Sequence, residues 1–246
     1  MSALTVAAIQ FKPTFRDIEG NCRKMYALIS EAAKNGAQII VLPELSTTGY
    51  SFMSADEAAP FAEDIYKGQG SIGFMQMLAS KHNVAIAWGL VERDPGNKAL
   101  YNSQVLVTSD GVIAHVRKLN RWGNDYLWAK EGTAPPPVTP YRGHKIGLLI
   151  CRDVRDKSTK MESMYEKGDA DIVCFSANWG KGGFPSGTWI DFAKENNTTL
   201  VVSNRYGEEV HNDFGFGGIC IIDPKGEVNC KGLVWNQDCI VYGCVK

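Results

Sequence analysis

The order of short apolar runs along the chain constrains its fold more than any other feature. Runs such as Ile39-Ile40-Val41-Leu42 and Gly147-Leu148-Leu149-Ile150 show no polar alternation, the pattern of strands covered on both faces. Between such runs lie stretches with helical periodicity. Asp17 to Asn35 carries apolar groups at Cys22, Met25, Leu28, Ile29, Ala32 and Ala33, one stripe on a helix, and Gly36 supplies its stop. Leu4 to Gln10, Val84 to Leu90, Lys145 to Cys151, Ile172 to Ser176, Leu200 to Ser203 and Ile240 to Val245 read as further strands. Ser71 to Asn83, Lys157 to Lys167 and Thr188 to Asn196 read as helices. Hairpins interrupt the alternation: Tyr101 to Thr108 and Val112 to Arg117 flank Ser109-Asp110-Gly111, and Gly218 to Ile222 and Val228 to Lys231 flank Asp223-Pro224-Lys225-Gly226. A purely parallel sheet leaves the hairpins unexplained. Two mixed sheets packed face to face, with helices outside, accommodate both.

No Pro/Gly/Ser-rich linker divides the 246 residues, so residues 1–246 read as a single domain. The formal net charge is -1 without a basic stripe, which argues against nucleic acid as a partner. No apolar run approaches the roughly 20 residues that cross a bilayer, so no membrane association is expected. The first ten residues lack the basic segment of a secretory signal. The seven cysteines are odd in number and scattered, unlike a disulfide framework, and a cytoplasmic location is the expectation. There is no Cys-x-x-Cys, the four histidines are far apart, and no Gly-x-Gly-x-x-Gly follows a strand. Neither a metal nor a dinucleotide site is indicated.

Three reactive side chains follow strands: Glu44 after Val41-Leu42-Pro43, Lys118 after Val112 to Arg117, and Cys151 after Gly147 to Ile150. Taken singly, each reads as an ordinary loop or core residue. Chemistry joins them. A thiol attacks a carbonyl only as its thiolate and needs a base or a nearby cation. No histidine here has a setting that recommends it. A buried carboxylate can serve as the base, and a lysine beside it would favour the thiolate and stabilise an oxyanion.

The ordered motifs resemble the nitrilase superfamily of carbon–nitrogen hydrolases over nearly the whole chain. Gly36-Ala37-Gln38-Ile39-Ile40-Val41-Leu42-Pro43-Glu44-Leu45, with Gly49-Tyr50 beyond, resembles its glutamate motif. Tyr101-Asn102-Ser103, the Asp110-Gly111 turn and Arg117-Lys118 resemble its lysine motif, and Lys145 to Asp153 its cysteine motif. Ser176-Ala177-Asn178-Trp179, Ala193 to Asn196 and Val202 to Gly207 resemble later segments. The resemblance implies a four-layer αββα sandwich, an α/β fold of two mixed sheets with helices on the outer faces. It also implies a Glu44-Lys118-Cys151 triad hydrolysing a small linear amide through a thioester, with the backbone N–H of Arg152 helping Lys118 hold the oxyanion. No cofactor is implied, and a homodimer or higher homo-oligomer is the default. The amide would be an omega-amide of a carboxylic acid or an N-carbamoyl compound. Nitrile hydrolysis ranks lower, and a catalytically silent binding protein on the same fold is the alternative from another class.

The sequence also departs from that pattern. Seven residues before Gly132, where many members carry a second glutamate, stands Asp125; it is grouped with the catalytic set as a group that orients Lys118 or the substrate. Asn120 stands where the lysine motif usually has histidine. Arg152 beside the nucleophile could bind a substrate carboxylate bidentately, or pair with Asp125, Asp153 or Asp156, or face solvent. Tyr50, Arg152, Asn178 and Trp179 form the candidate substrate-binding set. Trp122, Trp128 and Phe184 read rather as packing, and the stretch from Gly180 to Gly187 as a shaper of the entrance.

Overall fold

The computed structural model describes residues 3–155, 169–180 and 183–246. The expected helix from Lys157 to Lys167 lies outside the described residues. Along the chain run β1 (Leu4–Gln10), α1 (Ile18–Lys34), β2 (Ile39–Val41), α2 (Ala55–Ala58), α3 (Gly70–His82), β3 (Ala85–Arg93), β4 (Leu100–Thr108), β5 (Gly111–Arg117) and α4 (Asp125–Trp128). Then follow β6 (Thr139–Tyr141), β7 (His144–Ile150), β8 (Ile172–Ser176), α5 (Gly187–Glu195) and β9 (Thr199–Ser203). The ribbon β10 (Glu208–Glu209) and β11 (Asn212–Asp213) precedes β12 (Cys220–Ile222), β13 (Val228–Asn229) and β14 (Cys239–Val245).

Two mixed six-stranded sheets result, ordered β14-β1-β2-β3-β4-β5 and β13-β12-β9-β8-β7-β6. In each, the central strands are parallel and the flanking ones antiparallel: β1-β2-β3 in the first, β7-β8-β9 in the second. The continuously apolar runs became these parallel strands, and the hairpin signals became antiparallel edges. The α/β sandwich expected from the sequence is therefore present. Period-two alternation divides each inner strand between two cores. Val6, Ala8, Ile39, Val41, Ala85 and Ala87 point into one shared with Ile146, Leu148, Ile172 and Cys174 of the other sheet. Ala7, Ile9, Ile40, Ile86 and Trp88 face a second core completed by Met25 and Ile29 of α1 and Met75 and Leu78 of α3.

The helix ends follow local chemistry. The Asp17 side chain accepts the Gly20 N–H at the start of α1, and Asn83 ends α3 in the left-handed region, φ 53°. Polar groups bridge the two sheets where the parallel strands end. Ser176 Oγ donates to the Leu42 carbonyl at 2.7 Å, Gln104 Nε2 to Ser176 Oγ at 2.8 Å, and Ser203 Oγ to the Ile9 carbonyl at 2.6 Å. These buried bonds fix the carboxyl ends of β1, β2, β8 and β9 relative to one another, and satisfied buried networks of this kind rigidify what they join. No helix among the described residues is long and apolar enough to cross a membrane.

Candidate active site

Glu44 leaves the end of β2 on a segment that packs directly on β3. Gly89 makes this possible: a Cβ there would lie 2.4 Å from Leu45 N and 2.7 Å from Glu44 Cα. The Gly89 N–H donates to the Pro43 carbonyl at 3.1 Å and Ser46 N–H to the Gly89 carbonyl at 2.9 Å, so Glu44 is held on both sides. Lys118 follows β5, its N–H donating to the Asn102 carbonyl of β4 at 2.8 Å. Cys151 opens a short 3₁₀ turn, Cys151–Arg155, at the end of β7 and sits at φ 37°. That left-handed backbone is costly for a side-chain-bearing residue and is typical of functional turns. The sequence reading placed Cys151 as the last strand residue; the chain turns one residue earlier.

Among these groups, direct bonds join Glu44, Lys118 and Asp125, all essentially inaccessible to solvent. Lys118 Nζ donates to Glu44 Oε1 at 2.7 Å and to Asp125 Oδ2 at 2.6 Å. Asn102 Nδ2 bridges the same two carboxylates, 2.7 Å from Glu44 Oε1 and 3.0 Å from Asp125 Oδ1. The Asn178 N–H donates to Glu44 Oε2 at 2.9 Å. Burial opposes the charge on Lys118, but the carboxylates of Asp125 and Glu44 outweigh it and hold its pKa well above the ordinary lysine range. Cys151 joins this group electrostatically, its thiol feeling both the Glu44 carboxylate and the Lys118 ammonium.

Lys118 favours the thiolate, as expected from the sequence, but it is outweighed. Burial first, and then the Glu44 carboxylate, push the Cys151 pKa above the usual thiol range, and Lys118 only partly offsets them. Burial and the neighbouring Glu44 carboxylate therefore both favour the protonated form of the Cys151 thiol.

A cavity of about 210 Å³ opens over Cys151, walled by Trp122, Arg152, Arg155, Asn178, Trp179 and Gly180. Of the expected substrate-contacting residues, Arg152, Asn178 and Trp179 are on this wall. Tyr50 is not: it is buried, and its hydroxyl donates to the Trp122 carbonyl. Nor does Arg152 pair with Asp125 or Asp153. Asp125 accepts from Lys118, Asn102 and the Trp122 N–H, and Asp153 from the N–H groups of Leu119 and Asn120; Asp156 lies outside the described residues. The Arg152 guanidinium instead stacks 4.5 Å from the Trp122 ring centroid, and Arg155 4.2 Å from that of Trp179. Neither has a carboxylate partner among the described residues. Asn178 is 6% exposed, and among the described residues its side-chain Oδ1 and Nδ2 both lack a hydrogen-bond partner, an arrangement that is costly unless a ligand completes it.

Three contributors went unassigned in the sequence: Asn102, Arg155 and Asp153. Asn102 left a signal in the polar triplet Asn102-Ser103-Gln104 of a strand buried throughout, since polar groups inside a covered sheet require partners. Asp153, whose pKa burial pushes up to about 7, ties the nucleophile turn to the segment after Lys118. Of the aromatics read as packing, Trp128 is in the core with Phe52, and Phe184 packs on Trp189 and Trp235. The latter lines a larger cavity of about 1060 Å³ that meets the site at Gly180.

Comparison with known proteins places this two-sheet fold, with its buried carboxylates, lysine and thiol, among hydrolases acting on C–N bonds. The carbon-nitrogen hydrolase family model matches residues 5–245, and the chain belongs to that family. It is 34% identical over 224 residues to a nitrilase of Pyrococcus abyssi, covering 91% of this chain and 82% of the relative. To the 2-oxoglutaramate amidase of Bacillus subtilis it is 29% identical over 233 residues, covering 93% and 86%. Its fold is similar to that of an amidase from Nesterenkonia sp. AN1 solved with acrylamide as a double mutant, with TM-score 0.83, 21% identity, and coverage of 100% of this chain and 92% of the other.

Proposed function

We propose that the protein is an amidase that hydrolyses a short omega-amide of a carboxylic acid. Cys151 Sγ attacks the amide carbon while Glu44 takes the thiol proton. The oxyanion is held by Lys118 Nζ and the backbone N–H of Arg152, an electrostatic stabilisation of the kind that dominates acyl transfer. Glu44 returns its proton to the leaving nitrogen, ammonia departs, and a thioester remains. Glu44 then deprotonates a water that attacks the thioester carbon. Sulfur leaves, regaining a proton through Glu44, and the free acid is released. Asp125 and Asn102 keep Lys118 and Glu44 in register throughout.

The observation that carries the choice of substrate is the wall of the cavity. Two guanidinium groups backed by indoles, without carboxylate partners among the described residues, suit a carboxylate, for which arginine offers two parallel N–H donors. The unpartnered carboxamide of Asn178 suits a further polar group. The space directly over Cys151, about 210 Å³, suits a small reacting amide group, below the roughly 300–1,000 Å³ of drug-sized sites. Nitrile hydrolysis is the second reading, favoured by the 34% identity to a protein named nitrilase. Ammonia release from matched panels of amides and nitriles, with and without a terminal carboxylate, separates the two. The amidase reading predicts that carboxylated amides turn over fastest and that Arg152→Ala raises their KM about tenfold or more, a loss of about 1.4 kcal/mol of binding. A clear preference for nitriles, or for uncharged amides, would overturn it.

A further inference from the structure

Outside the reacting groups, a heavily bonded buried carboxylate belongs to Glu209, on the short ribbon strand β10. Its Oε2 accepts Arg205 Nη1 at 2.7 Å, and both side chains are nearly inaccessible. Its Oε1 accepts the N–H of Tyr50 at 2.6 Å and that of Ser51 at 2.9 Å. Arg205 is otherwise set over the Phe214 ring, 4.2 Å from its centroid, and Phe214 in turn packs edge-on against Tyr50. The approach is tight enough to dictate a neighbour: at Gly49, φ 77°, a Cβ would lie 2.4 Å from Glu209 Oε2. A charged pair buried to this degree is costly to desolvate and contributes little net stability. What it does here is fix the peptide of Tyr50 from a segment about 160 residues away in the chain.

Tyr50 passes that fixation on. Its hydroxyl donates to the Trp122 carbonyl, and Trp122 is otherwise half exposed at the cavity mouth. The Trp122 N–H donates to Asp125 Oδ2 at 3.0 Å, and its indole is the platform under Arg152. The two ends of this connection are unequally supported. Asp125 has Lys118 and Asn102 as further donors. The Trp122 peptide hangs on Tyr50 and on the turn it makes with Asp125. Loosening Tyr50 should therefore disturb the arginine platform more than the reacting groups.

We propose that Glu209 and Tyr50 are positioning residues for substrate recognition: Glu209 holds Tyr50, Tyr50 holds Trp122, and Trp122 sets the Arg152 guanidinium where it meets the substrate's carboxylate. This rests on the carboxylated-amide reading above. The arrangement explains why a tyrosine so near the site in sequence is kept off the cavity wall. It also gives the Arg205–Glu209 pair a role in specificity.

The test compares two substrates on three proteins. The probes are succinamate, which carries a terminal carboxylate, and butanamide, an uncharged amide of equal carbon count. The proteins are wild type, Tyr50→Phe and Glu209→Asp. Tyr50→Phe deletes one hydroxyl and leaves the Arg205–Glu209 pair intact. Glu209→Asp keeps the charge that Arg205 needs but is one methylene too short to reach both Arg205 and the Tyr50 N–H, and a thermal melt of each variant checks that it is folded. Both variants should raise the KM for succinamate by about fivefold or more, with kcat for both substrates and KM for butanamide within about twofold of wild type. A general loss of packing would not produce that split. A wild type that prefers succinamate, with variants whose succinamate KM is unchanged, would overturn the positioning role while leaving the function standing. A matched fall in kcat on both substrates would also overturn it, because the connection would then act on the chemistry. A wild type without preference for succinamate would overturn the carboxylated-amide reading and this inference together.

Discussion

Asp125→Asn is the sharpest perturbation of the buried cluster, because the geometry leaves the new amide no good orientation. Asp125 accepts Lys118 Nζ and the Trp122 N–H on Oδ2, and Asn102 Nδ2 on Oδ1. An asparagine whose oxygen faces Lys118 turns its NH₂ toward Asn102 Nδ2, donor against donor. Flipping Asn102 to relieve this breaks its 2.7 Å bond to Glu44. The reverse orientation sets the amide NH₂ against the Lys118 ammonium. Losing charge assistance at Lys118 and leaving one buried donor unpaired together cost about 3 kcal/mol. For a chain of 246 residues that lowers Tm by about 6 °C. The effect on catalysis is larger than that cost suggests. Lys118, freed from one of its two carboxylates, pairs more closely with Glu44, which weakens Glu44 as a base and pulls the ammonium away from the oxyanion position. Removing a single oxyanion donor costs about 10²-fold to 10³-fold in kcat, and a kcat fall of about 10²-fold is expected here. Steady-state ammonia release and a thermal melt on the same preparation measure both. A variant that melts lower but keeps kcat within about threefold of wild type would refute the reasoning, because Asp125 would then be structural only.

Two further outcomes follow from other parts of the molecule. Asn178→Ala removes a buried amide that has no partner among the described residues, so Tm should change by no more than about 2 °C while substrate KM rises about tenfold; a large loss of Tm with unchanged KM would show that the amide serves the fold. At Glu92, burial alone would raise the pKa, but hydrogen bonds from His115 and Arg117 bring it down to about 2 from an ordinary 4.5. A lowered carboxylate pKa stabilises the fold above the ordinary value and loses that contribution as pH falls through the folded one. Wild type should therefore exceed Glu92→Gln in stability by about 3 kcal/mol above pH 4.5, the gap closing toward pH 2, as followed by urea unfolding at stepped pH; a gap that stays constant with pH would contradict this.

How much of this was legible in the sequence depended on whether a feature is local. Apolar runs and turn residues act over a few positions, so β1, β8 and the hairpin between β4 and β5 came out within a residue or so of the structure. Short pieces without periodicity did not. α2 and α4 are single turns, β6 contains Pro140, and β10 and β11 are two residues each; all owe their form to tertiary contacts. At the site, Glu44, Lys118 and Cys151 stand out in the sequence because each follows a strand and together they resemble a family pattern. The direction of the Cys151 pKa does not, because depth of burial is a property of the assembled sandwich and here outweighs the nearby cation. Arg155 escaped notice because its significance comes only from Trp179, 24 positions further along the sequence and 4.2 Å from the guanidinium in space. Glu209 escaped for the same reason: nothing around it in sequence announces the N–H groups of Tyr50 and Ser51.

If Glu44 can take its proton, the buried Cys151 thiol is the most reactive cysteine of the protein. Cys230 and Cys244 are exposed, and Cys151 is buried, so accessibility and reactivity make opposite forecasts. Time-resolved alkylation with iodoacetamide, read by peptide mass spectrometry, decides between them. Cys151 should be modified first in the wild type and should lose that lead in Glu44→Gln. Preferential modification of Cys230 and Cys244 in the wild type, or an unchanged Cys151 rate in Glu44→Gln, would contradict the assignment.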